Sequence, residues 1–234
     1  MSDSQLAGAA LRDLALSSTR TAATPVSQRV YLTLRQMLMV GGFQPGESVS
    51  LRTLAKRLGT SAMPVREAVN RLMAEQALQM LPNRQVIVRR MTRRKLLELT
   101  RIRQALEGMM AGDACENMAE PLLRRLERDH RKMLAVLPTA PMAEILTRNK
   151  DFHFAFYGAA RSEVLLPIVE GLWMQTGPFQ ALSLSRQRSL WQAHRHTALL
   201  EALRRRDRRA AVNAIKGDIA DVSDMLLEIG EFDE

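Results

Sequence analysis

A single cysteine, Cys115, stands in 234 residues. It excludes an intrachain disulfide and a cysteine zinc site, and it fits a reducing cytoplasm. Aromatics are scarce as well, at 4% of the chain. With the apolar set drawn from Leu, Ala, Met and Val, the composition favours helices over sheets. No apolar run approaches the ~20 residues that cross a bilayer, so no membrane span is expected. The N-terminus carries Asp3 and no basic cluster ahead of an apolar block, which does not read as a signal peptide. There is no Ser-His-Asp order, no P-loop and no GxGxxG, so the common motifs of nucleophilic catalysis and nucleotide binding are missing.

What is present is charge, unevenly spread. The net charge is +9. Residues 1–91 hold 12 Lys+Arg against 5 Asp+Glu, a net of +7, whereas residues 92–234 hold 22 against 20, a net of +2. Hydrophobic residues make up 46%, and the length suffices for a real core in one large domain or two smaller ones. A small basic domain joined to a nearly neutral larger one suggests a polyanion-binding module attached to a part with another task.

Periodicity and breakers divide the chain further. Residues 1–24, rich in Ser, Ala and Thr and closed by Pro25, read as a flexible arm with a transient helix at "LAGAALRDLAL". "VSQRVYLTLRQMLMV" sets Val26, Val30, Leu34, Met37 and Leu38 on one helical face. "GGFQPGESVS" reads as a turn, and "LRTLAKRLG" as a short helix capped by Ser50 and stopped by Gly59. "SAMPVREAVNRLMAEQ" reads as a helix with Ser61 as a possible cap and Val65, Ala68, Val69, Leu72 and Met73 inward. Residues 78–90 read as two strands around a Pro82-Asn83 turn. Three short helices and a hairpin amount to a winged helix-turn-helix over residues 25–91. From 92 to 234 the pattern is helical, with segments near 92–118, 120–137, 141–160, 162–180, 185–205 and 207–230. The breakers are Pro121, Pro138, Pro141, Pro167 and Gly177-Pro178, with Pro167 expected to kink or split the fourth segment. The fold class is therefore mainly α: an N-terminal winged helix-turn-helix and a C-terminal all-α antiparallel bundle.

These stretches carry a resemblance. Residues 34–88, with the PGE turn, "LAKRLG" and "SAMPVREAV" in order, resemble the DNA-binding domain of GntR-family transcriptional regulators. "RIRQALEG" at 101–108, "NKDFHFAFYGAA" at 149–160 and "HTALLEALRRRDRRAA" at 196–211 resemble the FCD effector domain of the FadR/VanR branch. Together they cover about residues 26–230. The resemblance implies a homodimer on a palindromic operator in double-stranded DNA, with Arg52, Ser61, Met63, Arg66, Asn83 and Arg84 facing the duplex. A helix N-terminus suits phosphate, Pro64 in its first turn loses no hydrogen bond, and Arg66 is long enough to reach a base edge. The bland alternative is an Arg66–Glu67 pair within the protein. Three positions depart from the family pattern: Ala62 replaces an arginine, Met63 a hydroxyl residue and Gln85 the wing glycine. Base specificity therefore does not carry over.

For the bundle, Asn149 and His153 share a helix face at i, i+4. The resemblance implies that these two, with His196 and with Asp218 where relatives carry His, are the ligands of a divalent metal. Such an N₂O₂ set suits zinc, nickel or manganese. Arg103 is a candidate clamp for the carboxylate of a small organic-acid effector, with an Arg103–Glu107 pair as the alternative. His130 and His194 read as surface or packing residues, the Met109, Met110, Met118 and Met133 set as core or dimer packing, and the arginines at 204–209 as a solvated corner. The reading is a ligand-responsive, cytoplasmic DNA-binding regulator, commonly a repressor in this family. The alternative is a metal-dependent hydrolase with a basic accessory domain and Asp151 or Glu144 as general base.

Overall fold

The protein is described by a computed structural model over residues 24–186, 194–229 and 232, the side chains of 184–186 excepted. Residues 1–23 of the expected N-terminal arm, with its transient helix, lie outside these residues.

The elements run α1 (Val26–Met39), β1 (Ser48–Ser50), α2 (Leu51–Arg57), α3 (Ala62–Ala74), β2 (Leu78–Met80) and β3 (Gln85–Val88). There follow α4 (Arg93–Asn117), α5 (Glu120–Val136), α6 (Met142–Gly158), α7 (Leu165–Arg186), α8 (His194–Arg204) and α9 (Arg208–Ile229). The chain divides into two compact units. One holds the residues up to Arg90 together with 173–182 of α7, and the other holds Met91–Leu172 and the residues from Ser183 on.

In the first unit Leu34, Leu38, Leu54, Val65, Val69 and Leu72 form a fully buried centre. Val26, expected on the same face, is instead 45% exposed, because it opens α1 before the helix reaches its neighbours. The Ser50 side chain caps α2 by accepting from Thr53 N at 3.0 Å, as its position before the apolar run suggests. The sheet has the order β1-β3-β2, all antiparallel, with Val49 opposite Val86 and Met80 opposite Val86 on either side. The stretch around β1 was expected to be turn only. Three residues flanked by Gly, Pro and Glu are too few to show a period of two, so only pairing with β3 reveals the strand.

The second unit packs α4 against α9, α9 against α8, and α5 against α6 and α8. Met110, Met118 and Met133 are buried in it, whereas Met109 stands 54% exposed. Pro167 does not split a helix. It lies in the first turn of α7, where its missing N–H costs nothing, and Leu165 N is held by Ser162 Oγ at 3.0 Å. Nor do Gly177 and Pro178 end that helix, which continues to Arg186. Burial of Trp173, Met174, Phe179 and Ala181 offsets the ~3 kcal/mol cost of an interior proline. Within the first unit, α7 approaches the end of α1 so closely that a Cβ on Gly177 would overlap the Leu38 and Met39 carbonyl oxygens. Residues 185 and 186, expected to open the next helix, belong to α7; the expected residues 187–193 lie outside those described.

Candidate DNA-reading face and metal centre

The first site is the exposed end of α3. Ser61 sits at the N-cap with β backbone geometry, but its side chain makes no cap hydrogen bond. The first N–H groups of α3 thus receive no side-chain cap from Ser61. Met63 is 73% exposed, the most exposed large apolar side chain among the described residues. Arg66 follows within the first turns and is exposed, as is Arg52 at the start of α2. Among the described residues, neither arginine nor Glu67 takes part in an ion pair, so the Arg66–Glu67 alternative is not formed. A long cation held out on a short helix, near unpaired backbone donors, can meet a phosphate or a guanine edge.

The wing tip is organised differently. Asn83 Oδ1 accepts from Gln85 N at 3.1 Å, and Asn83 Nδ2 donates to Gln85 Oε1 at 3.2 Å. Its amide therefore shapes the turn. Arg84 takes the left-handed conformation, φ 62°, and donates its N–H to Leu81 O at 2.9 Å. The strained backbone position thus falls on Arg84, not on Gln85, which begins β3 and tolerates a side chain.

The second site is buried among α6, α8 and α9. His153 and His196 are each 1% exposed. Their Nε2 atoms lie 3.0 Å apart. Asp218 places Oδ2 at 3.4 Å from His153 Nε2 and Oδ1 at 3.8 Å from His196 Nε2. Two neutral imidazole lone pairs at that spacing repel unless a proton or a cation lies between them. Donors around a four-coordinate ion with bonds of roughly 2.0–2.2 Å lie about 3.4 Å apart, so these three fit a divalent metal. Asn149 is buried one turn before His153 on α6.

The surroundings keep His196 neutral and Asp218 ionised, the forms a metal requires. Burial drives the His196 pKa down to about 3, partly offset by Asp218. Burial pushes the Asp218 carboxyl the other way, but the neighbouring His153, with His196 and Arg103, takes it down to about 2. Phe152 stacks on the His196 ring, centroids 4.4 Å apart, and sets its plane. His130 is buried beside them, bonded through Nε2 to Thr197 Oγ1 at 3.2 Å. Burial and Arg131 lower its pKa. His194 lies outside, 3.3 Å from Asp221.

Arg103 is buried and pairs with Glu107, Nε to Oε1 at 2.6 Å and NH2 to Oε2 at 3.3 Å. Of the two sequence alternatives, the intrahelical pair is formed. Burial alone would lower the Arg103 pKa; the Glu107 carboxylate reverses this and raises it. One residue that sequence reasoning passed over, Tyr157, completes the network. Tyr157 donates to Glu107 Oε2 at 2.6 Å and lies 3.4 Å from His153 Nδ1. Burial first, then Glu107, pushes the Tyr157 hydroxyl pKa well up. The signal for it was helical spacing, since Tyr157 follows His153 by four residues, as Glu107 follows Arg103. Glu144 pairs with Arg148 at 2.8 Å and Asp151 with Lys150 at 2.8 Å. Arg204 pairs with Glu127, and Arg208 with Asp113 and Glu116.

Comparison with known proteins covers both units. The model of bacterial regulatory proteins of the gntR family matches residues 26–88, and the FCD domain matches residues 98–221. The HTH-type transcriptional regulator McbR of Escherichia coli (strain K12) is 33% identical over 145 residues, 62% of this chain and 66% of that protein, just under two thirds of it. The Nta operon transcriptional regulator of Aminobacter aminovorans is 29% identical over 192 residues, 80% of this chain and 88% of its own. The solved structure of E. coli McbR/YncC has a TM-score of 0.82 at 27% identity, covering 89% of this chain and 100% of that one.

Proposed function

The chain belongs to the GntR family of bacterial regulatory proteins and carries an FCD domain, and from that premise we propose that it is a metal-dependent, metabolite-responsive repressor. Membership makes it a DNA-binding transcriptional regulator and not an enzyme. The hydrolase alternative finds no support: the matched families and relatives are regulators, and Glu144 and Asp151 are bound up in ion pairs.

The observation that carries the finer reading is the buried convergence of His153, His196 and Asp218. These three, with Asn149 as a fourth donor, would hold zinc, nickel or manganese. The metal would supply a Lewis-acid position for a small organic acid, and Asp218 would bring the charge of the set to −1. Arg103 stands close enough to lower the Asp218 pKa, so a second anion in the cavity would meet a guanidinium already shared with Glu107. No described helix is long and apolar enough to cross a membrane, in keeping with action in the cytoplasm. Two copies would place two α3 tips on the half-sites of a palindromic operator, with Arg52, Ser61, Met63, Arg66 and Arg84 toward the duplex. Effector binding would alter operator affinity by favouring one arrangement of the dimer.

A gel shift across a salt series, using the upstream region of its own gene, tests this reading. The wild type should give a specific complex that Arg66→Ala weakens and that an organic acid dissolves only in the metal-loaded protein. No specific complex at any salt overturns the operator reading. Equal metal content in wild type and His153→Ala, purified without added metal, overturns the metal reading.

A further inference from the structure

We propose that Tyr157, anchored by Glu107 and Arg103, is a positioning residue that fixes the tautomer of His153. It does so by keeping the Nδ1 proton in place, so that Nε2 presents its lone pair toward His196 and Asp218. The consequence for metal affinity rests on the metal reading above; the tautomer itself does not.

The argument is a count of protons along one buried chain. Arg103 grips both oxygens of Glu107, at 2.6 and 3.3 Å, so Glu107 is a carboxylate and can only accept. Tyr157 has a single hydroxyl proton, and it goes to Glu107 Oε2 at 2.6 Å, a charge-assisted bond. The Tyr157 oxygen then has only lone pairs to offer His153 Nδ1 at 3.4 Å. That contact is favourable only if Nδ1 carries the proton. A neutral His153 protonated at Nδ1 has a bare Nε2, which is the atom 3.0 Å from His196 Nε2 and 3.4 Å from Asp218 Oδ2. Every member is shielded from water: Glu107 and Tyr157 are 0% exposed, His153 1% and Arg103 7%. Water is therefore not on hand to hydrogen-bond either tautomer equally well. The chain joins two helices by their repeat, since Arg103 and Glu107 are one turn apart on α4 and His153 and Tyr157 one turn apart on α6. Partners behind a ligating histidine commonly contribute 10–100-fold in metal affinity.

The test uses the full-length, metal-free protein with ¹⁵N-labelled histidine. Long-range ¹H–¹⁵N spectra should show wild-type His153 protonated at Nδ1. Tyr157→Phe, which keeps the ring and removes only the hydroxyl, should shift His153 toward the Nε2-protonated form, and His196, whose Nε2 lies 3.0 Å away, should move to the Nδ1-protonated form with it. Zinc titration by calorimetry should then show affinity about 10-fold weaker in Tyr157→Phe. Wild-type His153 protonated at Nε2 would overturn the proposal without any variant. So would an unchanged His153 tautomer in Tyr157→Phe, or a shift of His196 alone. A wild type that shows the Nδ1 tautomer and the expected shift but takes up no zinc would support the positioning role and reject the metal reading.

Discussion

Arg66 and Glu107 are both charged residues on helices, and they act under opposite conditions. Arg66 is exposed on α3 with no ion-pair partner among the described residues, and under the proposed function its partner is the operator. Glu107 is 0% exposed, gripped by Arg103 and bonded by Tyr157, so its task is internal. The DNA-reading end can thus be changed residue by residue without unfolding its unit. The buried site cannot, because each polar group there satisfies another. Departures such as Ala62 and Met63 fall at the exposed tip, where the helix forms with them in place; under the proposed function they are changes in what is read.

Substitutions on the two sides should separate the effects. The largest is expected for Glu107→Ala, which leaves the Arg103 guanidinium buried without its carboxylate. Urea unfolding should show a loss of about 3–5 kcal/mol; a loss no larger than that of a surface substitution would erase the contrast. His153→Ala should weaken zinc binding about 100-fold or more by calorimetry, with operator affinity of the metal-free protein unchanged. Arg66→Ala should do the reverse. It should cost about 1–3 kcal/mol of specific operator affinity in gel shifts, while urea midpoints stay within about 0.5 kcal/mol of wild type.

Acid provides a test confined to the buried side. His196 titrates near 6.5 when unfolded and about 3 when folded, so below 6.5 the unfolded chain binds the extra proton. Asp218 titrates near 3.8 unfolded and about 2 folded, and its contribution is present above 3.8 and lost as pH falls toward 2. Both lower stability on acidification. Thermal unfolding of metal-free protein between pH 6.5 and 4 should show a decline approaching about 1.4 kcal/mol per pH unit from His196. His196→Gln should flatten it. The smallest effect is expected for Asn83→Ala. With its amide spent on the wing turn, it should cost about 0.5–1 kcal/mol of stability and alter operator affinity less than Arg66→Ala.

Much of this was legible in the sequence. The helix-turn-helix, the wing turn at Pro82-Asn83 and the Ser50 cap follow from short-range rules, because capping atoms and turn residues act within three or four positions. The strand Ser48–Ser50 was not legible, since it exists only by pairing with Ile87, Val86 and Gln85. The course of α7 was misread for a related reason. Gly177-Pro178 is a breaker in isolation, yet in place the glycine lets the helix seat against the Leu38 and Met39 carbonyls.

The sequence by itself determined which residues share a turn: Asn149 with His153, Arg103 with Glu107, and the order of elements that marks the family. Only the tertiary structure decided which of these meet. His153 and His196 stand 43 positions apart and touch because α6 and α8 pack around a common centre, where Asp218 of α9 arrives as well. It also decided that Arg103 closes on Glu107 in a place without water. The physical reason is that helical periodicity is local, set by the backbone repeat, whereas burial and convergence depend on how whole helices pack.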